Sequence, residues 1–460
     1  MSLDPDISAK LARHIESTRY EDLSAVTIHS TKRALLDGLG VMIAASGLSE
    51  DVQPFVAMAR SLSGAGESSI LGSWERVSAS AAAFANGAMA HALDFEDSFD
   101  AAPTHPNASL IPAALATAQS LQSVAVGEFL VAMAVGCDVT CRLALSVGDS
   151  LERSPWYPPP ILGAIGAVAT TAKLLRLNAE QIKDALSLML CQTACPGEIK
   201  HSEHSVIRAV REAFPAQAAV TSALLAAKGV RGFDRPLEGR GGFYRLFANG
   251  ACDDEALFAD LGNRFYIDAL SFKPWPCCRG THPYIEAAQQ LRSQHGIEWR
   301  DIKSIRARIG PVQRMLSEPL ERKRAPSTVI DAKFSIPFTV ATAFIEPEVN
   351  LDCFSIDRLR KQEVLSLSHR VVFDYQEQIT SATNGAILVE LADGRRFSAE
   401  IPQALGHPTR PLDDARLGAK FVDCAMRAAK PMSKDEAEAF AERLMSAEAA
   451  DELDDVMQFR

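Results

Sequence analysis

Apolar positions over the first 268 residues recur at helical spacing, and in several segments they cover more than one face. Residues 23–45, 81–95, 110–121, 127–144, 161–177, 179–192 and 205–227 are each predicted to be helices. A helix that is apolar on most sides must be buried against other helices, so this part is expected to form a large all-helical domain. Farther along, the period changes to alternation. Residues 302–309, 369–374 and 386–401 read as strands. The last of these contains Asp393-Gly394, which predicts a two-residue hairpin turn. Helical spacing returns after Pro411, and the charged stretch from Ala447 is expected to be a solvated tail. The expected fold is therefore mainly α, with a helical domain of residues 1–268 completed by 405–460. A smaller α+β lid domain, 269–404, is inserted between them. No internal repeat or low-complexity linker breaks the pattern.

Chemistry concentrates in two places. Residues 83–118, AFANGAMAHALDFEDSFDAAPTHPNASLIPAALATA, gather acids, hydroxyls and two histidines between Ala-rich apolar runs. If the first helix runs on through this segment, His91, Asp94 and Ser98 fall at i, i+3 and i+7 and share a face. A loop, DAAPT, then leads to His105-Pro106 and the next helix. A carboxylate and an imidazole presented in this way can divide proton removal and proton delivery between them. The same residues also suit structural roles: His91 in the core, Asp97 or Ser98 as a cap, and Pro106 as a helix starter. The second place is KPWPCCRGTHPY, where Lys273, Arg279 and His282 lie close together beside prolines that restrict the backbone, a combination suited to holding carboxylates. Solvated surface cations are the alternative for Lys273 and Arg279.

Taken together, NGAMAHALDFEDS, THP and PAALA resemble the signature of the MmgE/PrpD family, which includes 2-methylcitrate dehydratases, cis-aconitate decarboxylases and iminodisuccinate epimerases. Further similar stretches follow in order: GAIGAVATTAKLLRLNAEQIKDAL, SALLAAKGVRGFDRPLEGRGGFYRLF, KPWPCCRGTH, AKFSIPF and GHPTRPLDDARLGAKF. The resemblance implies the two-domain fold already expected, a homodimer, and an active site in the cleft between the domains. It also implies a cofactor-independent reaction with no metal, in which Lys273 and His282 join Asp94, His105 and Ser98 in catalysis. Asp94 and His105 are the proton-transfer candidates, Ser98 an orienting hydroxyl, and Lys273 with His282 anion binders or a further acid. Which of Asp94 and His105 is the base is not assigned by the sequence. His91, Tyr157, Arg208 and Arg279 are expected to bind substrate, a small polycarboxylate.

Several positions depart from the family pattern. Glu96-Asp97-Ser98 stands where several relatives have Asp-Asp-Thr, and the loop before His105 is about one residue longer than in decarboxylase-like members. Tyr157 occupies the place of a family histidine, and a phenol is a poor general base near neutral pH. Arg208, with Arg211 as a nearby alternative, replaces a lysine. It keeps the charge and adds a planar fork, but cannot donate a proton. Phe338 stands where many relatives have tyrosine and reads as a core aromatic. The leading expectation is a hydro-lyase of the 2-methylcitrate dehydratase type. An epimerase or decarboxylase on the same scaffold, and a non-catalytic carboxylate-binding member, are the alternatives.

Composition narrows the remaining classes. At 460 residues the chain exceeds one ordinary domain, and its net charge of −11 argues against a nucleic-acid surface. The N-terminal stretch carries charges throughout and no apolar core of a signal peptide, and no uncharged run reaches membrane-spanning length, so a cytoplasmic protein is expected. Nine cysteines are too sparse for a disulfide scaffold, and Cys137/Cys141 and Cys191/Cys195 are expected to pack. His201 and His204 could lie one turn apart, but without a third ligand they make a poor metal site, as do the adjacent Cys277 and Cys278.

Overall fold

The computed structural model describes residues 4–458 apart from 63, 65, 103, 152, 203 and 204. His204 therefore lies outside the described residues. Packing divides the chain into two compact units. The first comprises Met1–Ala92, Glu96–Leu270 and Asp413–Arg460, and the second comprises Leu93–Phe95 and Ser271–Leu412. Residues 405–412, which the apolar pattern groups with the C-terminal helices, thus pack with the second unit. The Phe272 amide donates to the Gly406 carbonyl at 3.0 Å, and Gly406 takes φ +90 there.

The first unit is built from α1 (Ile7–Ser17), α2 (Ala25–Leu48), α3 (Gln53–Ser61), α4 (Ala79–Ala90), α5 (Pro106–Gln119), α6 (Val126–Val147), α7 (Pro158–Leu174), α8 (Ala179–Leu190), α9 (Ile207–Val210) and α10 (Ala213–Ala227), with the short α11 (Phe243–Phe247) and α12 (Asp254–Phe258) after them. A short antiparallel pair, β1 (Ser68–Ser69) with β2 (Arg76–Val77), corrects the expectation that this unit is entirely helical. Its small-residue composition has a geometric cause where α6 crosses α7. A Cβ on Gly136 would lie 1.8 Å from Thr170 Oγ1 and 2.8 Å from the Gly166 carbonyl, and one on Gly166 would meet Thr140 Oγ1 at 1.8 Å. The two helices meet backbone to backbone, which larger side chains would prevent.

Helix α6 belongs to a stretch, Val126–Ser150, long and apolar enough by composition to cross a membrane, yet 94% of its most apolar window is buried within the protein. Its buried charges are satisfied internally. Arg142 pairs with Asp138 at 2.6 Å and donates to the carbonyls of Leu257, Ala259 and Arg264. The C-terminal helices Asp414–Ala425 and Lys434–Ser446 close the unit against α2, where Phe421 sits over Gly40 and Lys420 pairs with the buried Asp37 at 2.6 Å. The expected solvated tail is corrected as well. Amides of Val126 and Gly127 bond the carbonyls of Asp451 and Ala449, and Leu453, Val456 and Met457 are buried.

Two predicted helices end or break before the apolar pattern does. The segment 81–95 ends as a helix at Ala90, with His91 as its C-cap, and the residues after it form a turn. Lys333 Nζ donates to the Leu93 carbonyl, Lys273 Nζ bonds the Asp94 carbonyl at 3.0 Å, and Asp94 turns to φ 49. The segment 205–227 splits into α9 and α10 because Pro215 has no N–H to offer the Arg211 carbonyl.

In the second unit, β3 (Ile302–Ile309), β4 (Val371–Tyr375), β5 (Gly385–Leu391) and β6 (Arg396–Ile401) form one sheet in the order β4-β3-β5-β6. Strand β3 pairs in parallel with β4 (Ile305 opposite Val371) and antiparallel with β5 (Ile305 opposite Val389). The β5–β6 hairpin departs from the expected two-residue turn. The Leu391 amide bonds the Arg395 carbonyl at 2.9 Å, leaving a three-residue loop with Gly394 at φ +88, the left-handed position glycine adopts freely. Helix α13 (His282–His295) packs on this sheet, and its Tyr284 hydroxyl bonds the Arg308 carbonyl of β3 at 2.7 Å.

Candidate active site

Within the first unit, the exit from α4 and the entry to α5 place two imidazoles about one carboxylate. His91 caps the C-terminus of α4, and His105 stands at the N-cap of α5 with Pro106 in the first turn. Between them the chain loops out and returns. The Phe99 amide bonds the Thr104 carbonyl at 3.1 Å, closing the loop, while Ser98 Oγ donates to Asp100 at 3.2 Å. The expected shared helical face of His91, Asp94 and Ser98 is thereby corrected to a turn, because the helix ends before Asp94.

Glu96, which sequence reasoning does not select, is the centre of this cluster. Its Oε1 is hydrogen-bonded to His91 Nδ1 and lies 3.3 Å from His105 Nδ1, with the two rings 5.0 Å apart. His91 and Glu96 are buried, while the His105 side chain remains 17% exposed. His105 Nδ1 also lies 2.9 Å from the Asp97 carbonyl. A carbonyl oxygen only accepts, so Nδ1 carries the hydrogen. Neutral His105 then holds its lone pair at Nε2, as a base requires, and the Glu96 charge favours the imidazolium formed on protonation. His91, Glu96 and His105 each offer one ligand atom, all within 4.8 Å of one another, and so could be considered for a metal ion. As arranged, the Glu96 oxygen joins the two imidazoles in the manner of a proton relay. Asp97 beside it is fully enclosed. Burial, with Asp37 and Glu96 adding repulsion, pushes its carboxyl up to about 8, although Asn107 opposes the shift.

A cationic group lies near these residues in the same unit. Tyr157, at the N-cap of α7, has Lys200 at 5.5 Å, Arg208 at 5.7 Å and Arg211 at 5.1 Å from its ring centre. Arg211 Nε lies 3.0 Å from Glu212, and Ser109 Oγ donates to the other Glu212 oxygen. Burial alone would weaken the charged form of Arg211, but Tyr157, Glu212 and Glu96 outweigh it. Burial raises the Glu212 carboxyl, opposed by Arg211 and Ser109. Sequence reasoning names Tyr157 and Arg208 and passes over Glu212, because the acid is hidden inside a segment that reads as one continuous helix.

The second unit holds the other candidates. Lys273 and Asp94 form an ion pair whose side chains are 0% and 1% exposed. Lys333, also unselected, stacks its ammonium 5.4 Å from the Phe354 ring while bonding Leu93. His282 Nε2 lies 3.0 Å from the Cys277 carbonyl and so carries the hydrogen, leaving Nδ1 to accept from Arg279 Nη1 at 3.3 Å. Arg279 also donates to the Leu405 carbonyl at 2.7 Å. Arg279 thus ties down the chain at 404–405, while His282 is held between Arg279 and the Cys277 carbonyl. The Cys277 thiol is pushed up to about 12 by burial, so it is held as the inert thiol. Phe338 is buried in helix Ile336–Ile345, its ring 6.3 Å from that of Phe354, a core aromatic.

Comparison with known proteins decides the family. The model of the MmgE/PrpD N-terminal domain matches residues 9–255, and that of the MmgE/PrpD C-terminal domain matches 275–445. The chain belongs to the MmgE/PrpD family. It is similar to a cis-aconitate decarboxylase of Aspergillus terreus, 22% identical over 437 residues that cover 90% of this chain and 88% of the relative. A cis-aconitate decarboxylase of Homo sapiens is 25% identical over 90% of this chain and 87% of its own. A 2-methylcitrate dehydratase of Salmonella typhimurium is 26% identical over 358 residues, 72% of each chain. These MmgE/PrpD relatives are enzymes, decarboxylases and a dehydratase.

Proposed function

We propose that this MmgE/PrpD protein is an acid–base lyase for a small di- or tricarboxylate, eliminating water across the bond next to a carboxylate. The observation that carries this reading is the His91–Glu96–His105 relay, with the Nε2 lone pair of a partly exposed imidazole set beside buried partners. In the proposed reaction, His105 Nε2 takes the proton α to a carboxylate. Negative charge spreads onto that carboxylate as the carbon–carbon double bond forms, and the hydroxyl on the neighbouring carbon leaves with a proton as water. Lys200, Arg208 and Arg211, grouped about Tyr157, supply cations for the substrate's other carboxylates and for the charge that develops. Asp94 and Lys273, an ion pair, are a second proton-transfer couple, with Ser98 and His91 as orienting groups. Arg279 and His282 hold this part of the structure in shape. Homodimeric assembly and a cytoplasmic setting belong to the same proposal.

Decarboxylation of an unsaturated tricarboxylate is the second reading, favoured by the near-complete overlap with the decarboxylase relatives. There carbon dioxide leaves, and the electron pair that remains on carbon takes a proton from the same imidazole. Proton NMR in deuterated water on citrate, 2-methylcitrate, cis-aconitate and iminodisuccinate separates the outcomes. Elimination gives new vinyl signals, decarboxylation releases carbon dioxide, and epimerisation exchanges the α proton on an unchanged skeleton. Elimination, persisting after chelator treatment, is expected. Inertness toward all four compounds would remove the proposal.

A further inference from the structure

A cavity of about 130 Å³ lies beside the α9–α10 junction, and the residues of the histidine–glutamate relay do not line it. Its walls are largely apolar, from Ala164 of α7, Met189 of α8, Cys195, Ile207, Phe214 and Pro215. The polar exceptions are Gln192, Thr193 and Arg211, and the Arg211 side chain is 1% exposed. Nε of Arg211 is paired with Glu212 and Nη1 donates to the Arg208 carbonyl at 2.6 Å, but Nη2 is buried with no hydrogen-bond partner among the described residues. An enclosed guanidinium edge left unbonded is costly unless an acceptor fills the space beside it. The acceptor has to be anionic or strongly polar to suit the charge, and the part of the ligand that meets Ala164, Met189, Ile207 and Phe214 must be apolar.

We propose that this cavity binds a carboxylate carrying a short alkyl tail, the carboxylate on Arg211 and the tail among Ala164, Met189, Ile207 and Phe214. An apolar cavity of about 150 Å³ accommodates the six carbons of benzene, so the space here suits about five or six heavy atoms, the size of propionate or butyrate. The ligand is an arm of the substrate or a free short-chain acid. The first source rests on the acid–base reading above, and is supported by the closeness of Arg211 to Tyr157 and by the influence of Glu96 on its charge.

Titration calorimetry of the full chain with sodium acetate, butyrate and octanoate tests the site. Butyrate is expected to bind at least about tenfold more tightly than either neighbour in the series, since octanoate exceeds the space and acetate leaves it half empty. Arg211→Met should abolish that preference. Ala194→Trp, a change at the exposed rim of the cavity, should do the same with an unaltered thermal midpoint, which guards against a folding artefact. Butyrate that raises KM for the polycarboxylate with kcat unchanged identifies the substrate-arm source, and butyrate that binds without affecting turnover identifies the free acid and removes Arg211 from the cations assigned to the substrate. No measurable butyrate binding, or wild-type binding by both variants, overturns the site even if turnover is found. Butyrate binding by a protein inert to every polycarboxylate upholds the site and defeats the proposed function.

Discussion

Replacing Lys273 by Met removes the ammonium that compensates Asp94 where neither side chain has more than 1% exposure. Two charges buried this deeply have lost most of their hydration, and the pair itself contributes little net stability. Removing one member is another matter, because it strands the other, at a cost of about 3–5 kcal/mol. Lys273 also bonds the Asp94 carbonyl, and Asp94 is held at φ 49, so the loss falls on the turn itself. Asp94→Asn should cost a similar amount through the stranded ammonium, since asparagine tolerates the left-handed backbone and adds no strain of its own. The double variant, with neither charge, is expected to be more stable than the sum of the singles by at least about 2 kcal/mol. The assay is urea unfolding followed by tryptophan fluorescence for the wild type and three variants, comparing midpoints at equal slope. Strict additivity of the two single losses would refute the claim that the pair is a coupled, desolvated ion pair.

Three further expectations concern other groups. Glu96→Gln removes the charge shared by His91 and His105 and should lower kcat by about a hundredfold while leaving KM within about threefold, because imidazolium stabilisation matters only when the proton moves. A raised KM at normal kcat would make Glu96 a binding group instead. Asp97 releases its proton near 8 in the folded chain against an ordinary 3.8, so the folded state holds the extra proton between those values. Stability should therefore be highest below that window and fall as pH rises through it. Asp97→Asn should flatten that fall, and an unchanged pH slope in chemical unfolding would count against the burial of this carboxyl. Gly166→Ala places a methyl against Thr140 and the Gly136 carbonyl, and should cost about 1–3 kcal/mol in the same unfolding assay. A neutral result would mean that α6 and α7 separate easily.

Period and composition make the helices and strands legible, because burial imposes the spacing directly. Helices α5 to α8 and strand β3 lie close to where apolar spacing puts them. What the pattern does not carry is contact with distant side chains. Lys273 and Lys333 bond the carbonyls of residues 94 and 93 in the turn after α4, and no local signal in MAHALDFEDS announces two lysines so far along the chain. Pro215, by contrast, is a local signal for the break before α10, masked by the alanines after it. The site is partly legible for the same reason. His105 stands out by its type and neighbours, whereas the importance of Glu96 depends on a loop closed by Phe99 and Thr104 that brings the second imidazole back to it. His282 looks like an available acid in the sequence, but a carbonyl and a guanidinium occupy its two nitrogens, and neither partner's position can be read from spacing.

The most direct test of the central claim is the rate at which deuterium from solvent enters the carbon next to the substrate carboxylate, measured by NMR for the wild type and for His105→Ala. Removing the imidazole whose Nε2 lone pair receives that proton should slow the exchange by at least about a hundredfold in a variant with unaltered folding. Exchange at the wild-type rate in His105→Ala would show that the proton is taken by another group, and the relay would then have no part in the chemistry.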